Sequence, residues 1–171
     1  MDGLSVSLRL IHILCGVYWA GTIFFFSTYL EPTVRNLGPD GGKVMVKLFE
    51  RGYLTVLPIV AALTLVSGFW LLWIVSAGFD SAWMGSVMGV ALSTGGVVAT
   101  IAFLFGVAVM RPAALRIWAI ARQLPGVTDE ATRNARMAEM QQLRVRTGFA
   151  ARIVFALLLV AVALMASARY H

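Results

Sequence analysis

Charge and cysteine are scarce in this chain. Of its 171 residues 13% are charged and 60% are of hydrophobic type, where water-soluble domains carry about 25% charged and about 45–50% apolar residues. That balance, with a mean hydropathy of +0.84, excludes a soluble globular enzyme. Cys15 is the only cysteine, so no internal bridge can form and a secreted disulfide scaffold is excluded as well. Histidine is limited to His12 and the last residue, His171, which leaves no H-x-x-x-H pair, and no C-x-x-C replaces it. No Ser-His-Asp set can be assembled, since Asp80 is the only acid near its end of the chain's apolar segments apart from Asp2; hydrolytic catalysis is not expected. Gly38-Pro39-Asp40-Gly41-Gly42 is a turn cluster without the GxxxxGK[ST] spacing of a phosphate loop.

What is present is four long apolar runs. With charges as boundaries they extend over about 10–30, 54–77, 83–110 and 153–168, each close to the roughly 20 residues that cross a hydrocarbon core of about 30 Å. The first is closed by Glu31-Pro32, the second by Gly78-Phe79-Asp80, and the polar end of the third is Arg111-Pro112. None alternates apolar and polar residues as a barrel strand does. Arg9 follows the polar start and no A-x-A pattern closes the first run, so it reads as a retained helix and not a cleaved signal. The expected fold is an all-α integral membrane protein, one domain over 1–171, with four transmembrane helices bundled together.

Basic residues set the expected orientation. The 31–52 connection has Arg35, Lys43, Lys47 and Arg51, and the 111–146 connection has seven arginines with Arg152 just beyond, against only Arg9 and Arg169 on the other side. Positive charge is retained in the cytoplasm, so both termini are expected to face the periplasm. The net charge of +6 and pI near 10.3 match attraction to anionic lipids. No nucleic-acid motif accompanies them, and nucleic acid is not an expected partner.

The 111–146 connection is expected to be helical. Leu124-Pro125-Gly126 reads as a turn, Thr128 as an N-cap, and Asp129 and Glu130 suit a helix N-terminus. Ala131, Ala135, Ala138, Gln142, Val145 and Phe149 share one helical face that Ala114, Trp118 and Ala121 would meet across a hairpin. Two arrangements fit: a hairpin projecting from the bilayer, or two amphipathic helices lying on the headgroups. A short interfacial helix is expected over 43–51. In the third apolar run Gly85, Gly89, Ser93, Gly96 and Thr100 form a small-residue stripe for helix packing, and Gly85 and Gly89, with the 111–146 hairpin, are candidate contacts to a second copy or to partner subunits.

Chemistry rests on few residues. His12 lies within the first apolar run, where an ionisable group is costly enough to suggest function. Cys15, Gly16 and Trp19 follow at i+3, i+4 and i+7 on its face, so a flat ligand would find room beside Gly16 and a wall in Trp19. Met84 and Met88 lie one turn apart at the corresponding end of the third run. Haem takes a histidine with or without methionine, and copper(I) takes soft sulfur with imidazole. The candidate cofactor site is therefore His12, Gly16 and Trp19, and the candidate metal ligands are His12, Cys15, Met84 and Met88. A structural histidine bonded to a neighbouring helix fits the same spacing.

Leu10-Ile11-His12-Ile13-Leu14, then Tyr18-Trp19-Ala20-Gly21, and the closing Glu31-Pro32 resemble the first helix of the copper-resistance D (CopD) superfamily of bacterial inner-membrane proteins. Leu57-Pro58 and Ser67-Gly68-Phe69-Trp70 in the second run are also similar to that group. More distantly, the opening resembles HemJ-type protoporphyrinogen oxidases. The resemblance implies a four-helix bacterial inner-membrane protein in which His12 takes the place of the family's histidine, with haem b or copper as ligand. The lysine that HemJ-type enzymes use in a later helix has no counterpart, because Lys43 and Lys47 are the only lysines and both precede the second run. Two functions fit these residues: redox or metal handling through His12, and a non-catalytic accessory subunit of a larger membrane complex.

Overall fold

The computed structural model describes residues 3–170, and every regular element among them is a helix; Asp2 and His171 lie outside the described residues. In chain order the helices are α1 (Gly3–Asn36), α2 (Pro39–Glu50), α3 (Tyr53–Val75), the single turn α4 (Ser81–Met84), α5 (Val87–Gly126) and α6 (Glu130–Tyr170). Helices α1, α3, α5 and α6 are long and apolar enough to cross a membrane. Gly38 and Gly52, both at positive φ, turn the chain into and out of α2. Side chains cap the later starts: Asp80 accepts from the Trp83 N–H, Ser86 from Gly89 and Asp129 from Thr132.

Large apolar side chains face outwards, with Leu14, Val17 and Val66 each more than 60% exposed. The centre is built from Ala61, Ala99, Ala102 and Ala161 around Trp19, Ile23, Val154 and Leu158. A bundle with small residues inside and leucine and valine outside suits lipid, where close backbone approach replaces the hydrophobic drive to associate.

The sequence predicts helix ends at Leu30 and Met110, yet both helices run on through Glu31-Pro32 and Arg111-Pro112. Just before each proline lies one wider turn, Phe26–Leu30 and Gly106–Met110, in which the N–H of Glu31 reaches the Phe26 carbonyl and that of Arg111 the Gly106 carbonyl. Pro32 and Pro112 cannot donate to the carbonyls of Thr28 and Ala108, and their rings would clash there; widening the turn relieves this without ending the helix. The third long helix also begins later than Trp83, at Val87, because Gly85 and the Ser86 cap separate it from the turn α4.

Helix α1 packs chiefly on α3 and α5 chiefly on α6, with lesser α3–α5 and α1–α6 contacts closing the ring, so α1 and α5 occupy opposite corners. The α5–α6 pair is one antiparallel arrangement from end to end. A Cβ at Gly95 would lie 3.3 Å from the Ala161 carbonyl oxygen; further along, Arg116 Nε donates to Glu139 at 2.7 Å and Arg136 to Gln123 at 3.1 Å. The two arms of the 111–146 connection thus form a helical hairpin that prolongs the pair. At 40 and 41 residues these helices are each about 60 Å long, twice a hydrocarbon core.

The face expected to close that hairpin does not. Ala131, Ala135, Ala138, Gln142, Val145 and Phe149 are all exposed, and Met140, Leu143, Thr147 and Ala150 turn inwards instead. Helix α6 is unbroken through Gly148, so its arm inherits the phase of the membrane portion, where Val154, Leu158 and Ala161 are buried. Ala114, on the other arm, is buried as expected, with Trp118 and Ala121 half-buried beside it.

Candidate functional site

His12 sits on the face of α1 that meets α3. Its Nδ1 lies 2.9 Å from the Thr64 carbonyl oxygen. A carbonyl only accepts, so this bond requires a proton on Nδ1, and in the neutral imidazole the lone pair is then on Nε2. Gly68 makes the approach possible: a Cβ there would stand 2.6 Å from Cε1 and 2.9 Å from Nδ1 of the imidazole. One turn further along, the arrangement is reversed, and the Thr64 methyl rests 3.5 Å from where a Cβ of Gly16 would be. Moving from His12 to Gly16 on α1 moves from Gly68 back to Thr64 on α3, as antiparallel helices require. Each helix offers a glycine to the other's side chain.

The polar groups beneath are satisfied locally. Thr64 Oγ1 donates to the Val60 carbonyl at 2.9 Å, and Ser67 Oγ to Leu63 at 2.6 Å, with a second contact to Thr64 at 3.1 Å. Thr64 and Ser67 are buried, whereas His12 is half-buried at the edge of this interface.

The remaining candidates are dispersed. Cys15 is half-buried on α1. Trp19, about 10.5 Å along the axis from His12, is 5% exposed and stands edge-on to Phe103 of α5 at 6.4 Å, so it fills the bundle centre. Met84 and Met88 belong to α4 and α5, on the corner opposite α1, and Met88 is exposed. Gly85 is exposed outside any helix, and Gly89 is buried under its own chain at Trp83 and Met84, so the pair forms no notch for another helix. The close α5–α6 approach uses Gly95, Ala99 and Ala102, one position out of phase with the expected stripe.

No three His, Cys, Asp or Glu side chains converge among the described residues. A bare metal ion held by such ligands alone therefore has no ready-made cage here, while a macrocycle that brings its own four nitrogens needs only one or two protein ligands. Thr64 and Gly68 were not legible as partners of His12 from α1 alone; the available signal was Gly68 in the Ser67-Gly68-Phe69-Trp70 segment, at a position that mirrors His12 across the intervening connection. Compared with protein-family models, curated proteins and solved structures, the chain matches none of the three.

Proposed function

We propose that this chain is a multi-pass bacterial inner-membrane protein of CopD-like type that binds haem b through His12. The observation that carries the reading is the Nδ1 bond to Thr64, because a ligating histidine commonly fixes its second nitrogen on a carbonyl and presents the other to iron. Thr64 holds the tautomer and Gly68 lets the ring lie against α3, while Gly16, expected to leave room for a flat ligand, is instead covered by the Thr64 methyl. A haem so held would supply one-electron transfer. In this reading both termini face the periplasm and the α5–α6 hairpin projects into the cytoplasm, with its arginines on the side where positive charge is retained.

A second reading is a non-catalytic subunit, favoured by Val145 and Phe149, each 66% exposed on the charged arm of α6. Absorption spectra and metal analysis of detergent-purified wild type and His12→Ala, expressed with excess haem, separate the two. A Soret band that His12→Ala abolishes supports haem ligation, and stoichiometric copper lost in the same variant would move the reading to a metal site. A colourless, metal-free, folded wild type that co-purifies with other chains would replace both by the subunit reading.

A further inference from the structure

Away from His12, an open groove of about 310 Å³ runs along the outside of the α3–α5 contact. Pro58, Ile59 and Ala62 form one wall, Phe103 and Val107 the other, with Thr55 and Arg111 at the end where the apolar run of α5 stops. The groove follows from proline chemistry. Pro58 has no N–H for the Leu54 carbonyl, and Arg111 Nε supplies one at 3.1 Å. The wide turn Gly106–Met110 directly precedes Arg111 in α5.

We propose that this groove binds one anionic phospholipid, its phosphate on Arg111 and an acyl chain along Pro58, Ala62 and Phe103. Arg111 is half-buried, and among the described residues none of the ion pairs involves it. Its Nε is engaged by Leu54, which orients the guanidinium and leaves the two terminal nitrogens for an acceptor. A phosphate diester takes such a fork through two parallel bonds. The walls below the cation are apolar, matching a lipid chain. No carboxylate lines the groove to meet the ammonium of a zwitterionic headgroup, so net negative lipid is preferred. Arg111 also stands at the end of the bundle that has the excess of arginine and lysine, where anionic headgroups concentrate.

The test is native mass spectrometry of the full chain in detergent with phosphatidylglycerol or phosphatidylethanolamine of identical acyl chains. Wild type should retain phosphatidylglycerol about tenfold better. Arg111→Gln should erase the preference, and Ala62→Trp, which fills the groove without altering charge, should weaken phosphatidylglycerol binding by a similar factor. Millimolar inorganic phosphate should not displace the lipid. Equal retention of the two lipids by wild type overturns the proposal, as does undiminished binding in Ala62→Trp. Displacement by inorganic phosphate also overturns it, since that would mark a simple anion site. The Ala62→Trp arm stands even where Arg111→Gln fails to fold.

Discussion

Replacing Gly68 with alanine should destabilise the protein only while His12 is present. The new Cβ would stand 2.6 Å from Cε1 and 2.9 Å from Nδ1 of the ring, against ordinary carbon contacts of about 3.5–4.0 Å. The imidazole must retreat by about 1 Å, which carries Nδ1 from 2.9 Å beyond the roughly 3.2 Å limit of a good hydrogen bond. Losing that bond costs about 0.5–1.5 kcal/mol, and overpacking adds about 1–3 kcal/mol. Alanine in a helix returns up to about 1 kcal/mol. The expected net loss is about 0.5–4.5 kcal/mol. With His12→Ala the obstruction is gone, and the same substitution should be neutral or stabilising by up to about 1 kcal/mol. Unfolding of the four proteins by sodium dodecyl sulfate in mixed micelles closes the double-mutant cycle. An effect of Gly68→Ala with the same sign and size in both backgrounds would refute the contact.

Gly95→Val should cost about 1–3 kcal/mol in the same assay, because a Cβ there meets Met165 at 3.0 Å and the Ala161 carbonyl at 3.3 Å; Gly106→Ala, with nothing within 4 Å of its Cβ, should be tolerated. Arg111→Met should cost about 1 kcal/mol by leaving the Leu54 carbonyl without its added donor, and less when Pro58→Ala restores a backbone N–H; equal costs in both backgrounds would remove the capping role. Thr132 donates its hydroxyl and its N–H to Asp129, holding that carboxyl below its ordinary value of 3.8. The depressed carboxylate therefore supports the start of α6 fully above pH 3.8, and the support is lost as pH falls through the lower folded-state value. A ¹³C NMR titration of the Asp129 carboxyl should show that low midpoint, and Thr132→Ala should raise it. Spin labels at Ala131 should report water and labels at Leu159 lipid; lipid contact at Ala131 would instead place the hairpin arm on the headgroups.

The four long apolar helices could be read from the apolar runs, because a segment in lipid must satisfy its backbone bonds internally. The hairpin was legible in outline from Leu124-Pro125-Gly126 and the acidic residues after it, although the cap is Asp129 and not the expected Thr128. Two things were not. Pro32 and Pro112 look like terminators, and only the wider turns before them show how the helices pass. The inward phase of the α6 arm depends on how Val154 and Leu158 pack in the bundle, so small residues at 131–138 carried no information about it. For the site, His12 was readable as an isolated imidazole in an apolar helix. Its partners, a backbone carbonyl and a glycine, have no side-chain signature, and their register emerges only once α1 and α3 are docked. Trp19 illustrates the opposite problem: a helical spacing from His12 that suggests a pocket wall serves the core, against Phe103.

Whether His12 presents Nε2 to a haem while Thr64 holds Nδ1 can be read by ¹⁵N NMR. The protein would be labelled at histidine in a His171→Gln background, so that His12 alone reports, and titrated with ferric haem in detergent. Expected are a proton on Nδ1 and an unprotonated Nε2 before haem, with the Nε2 resonance lost to paramagnetic broadening and a Soret shift rising in parallel as haem is added. A proton on Nε2 in the free protein, or a His12 spectrum that haem leaves unchanged, would contradict that arrangement.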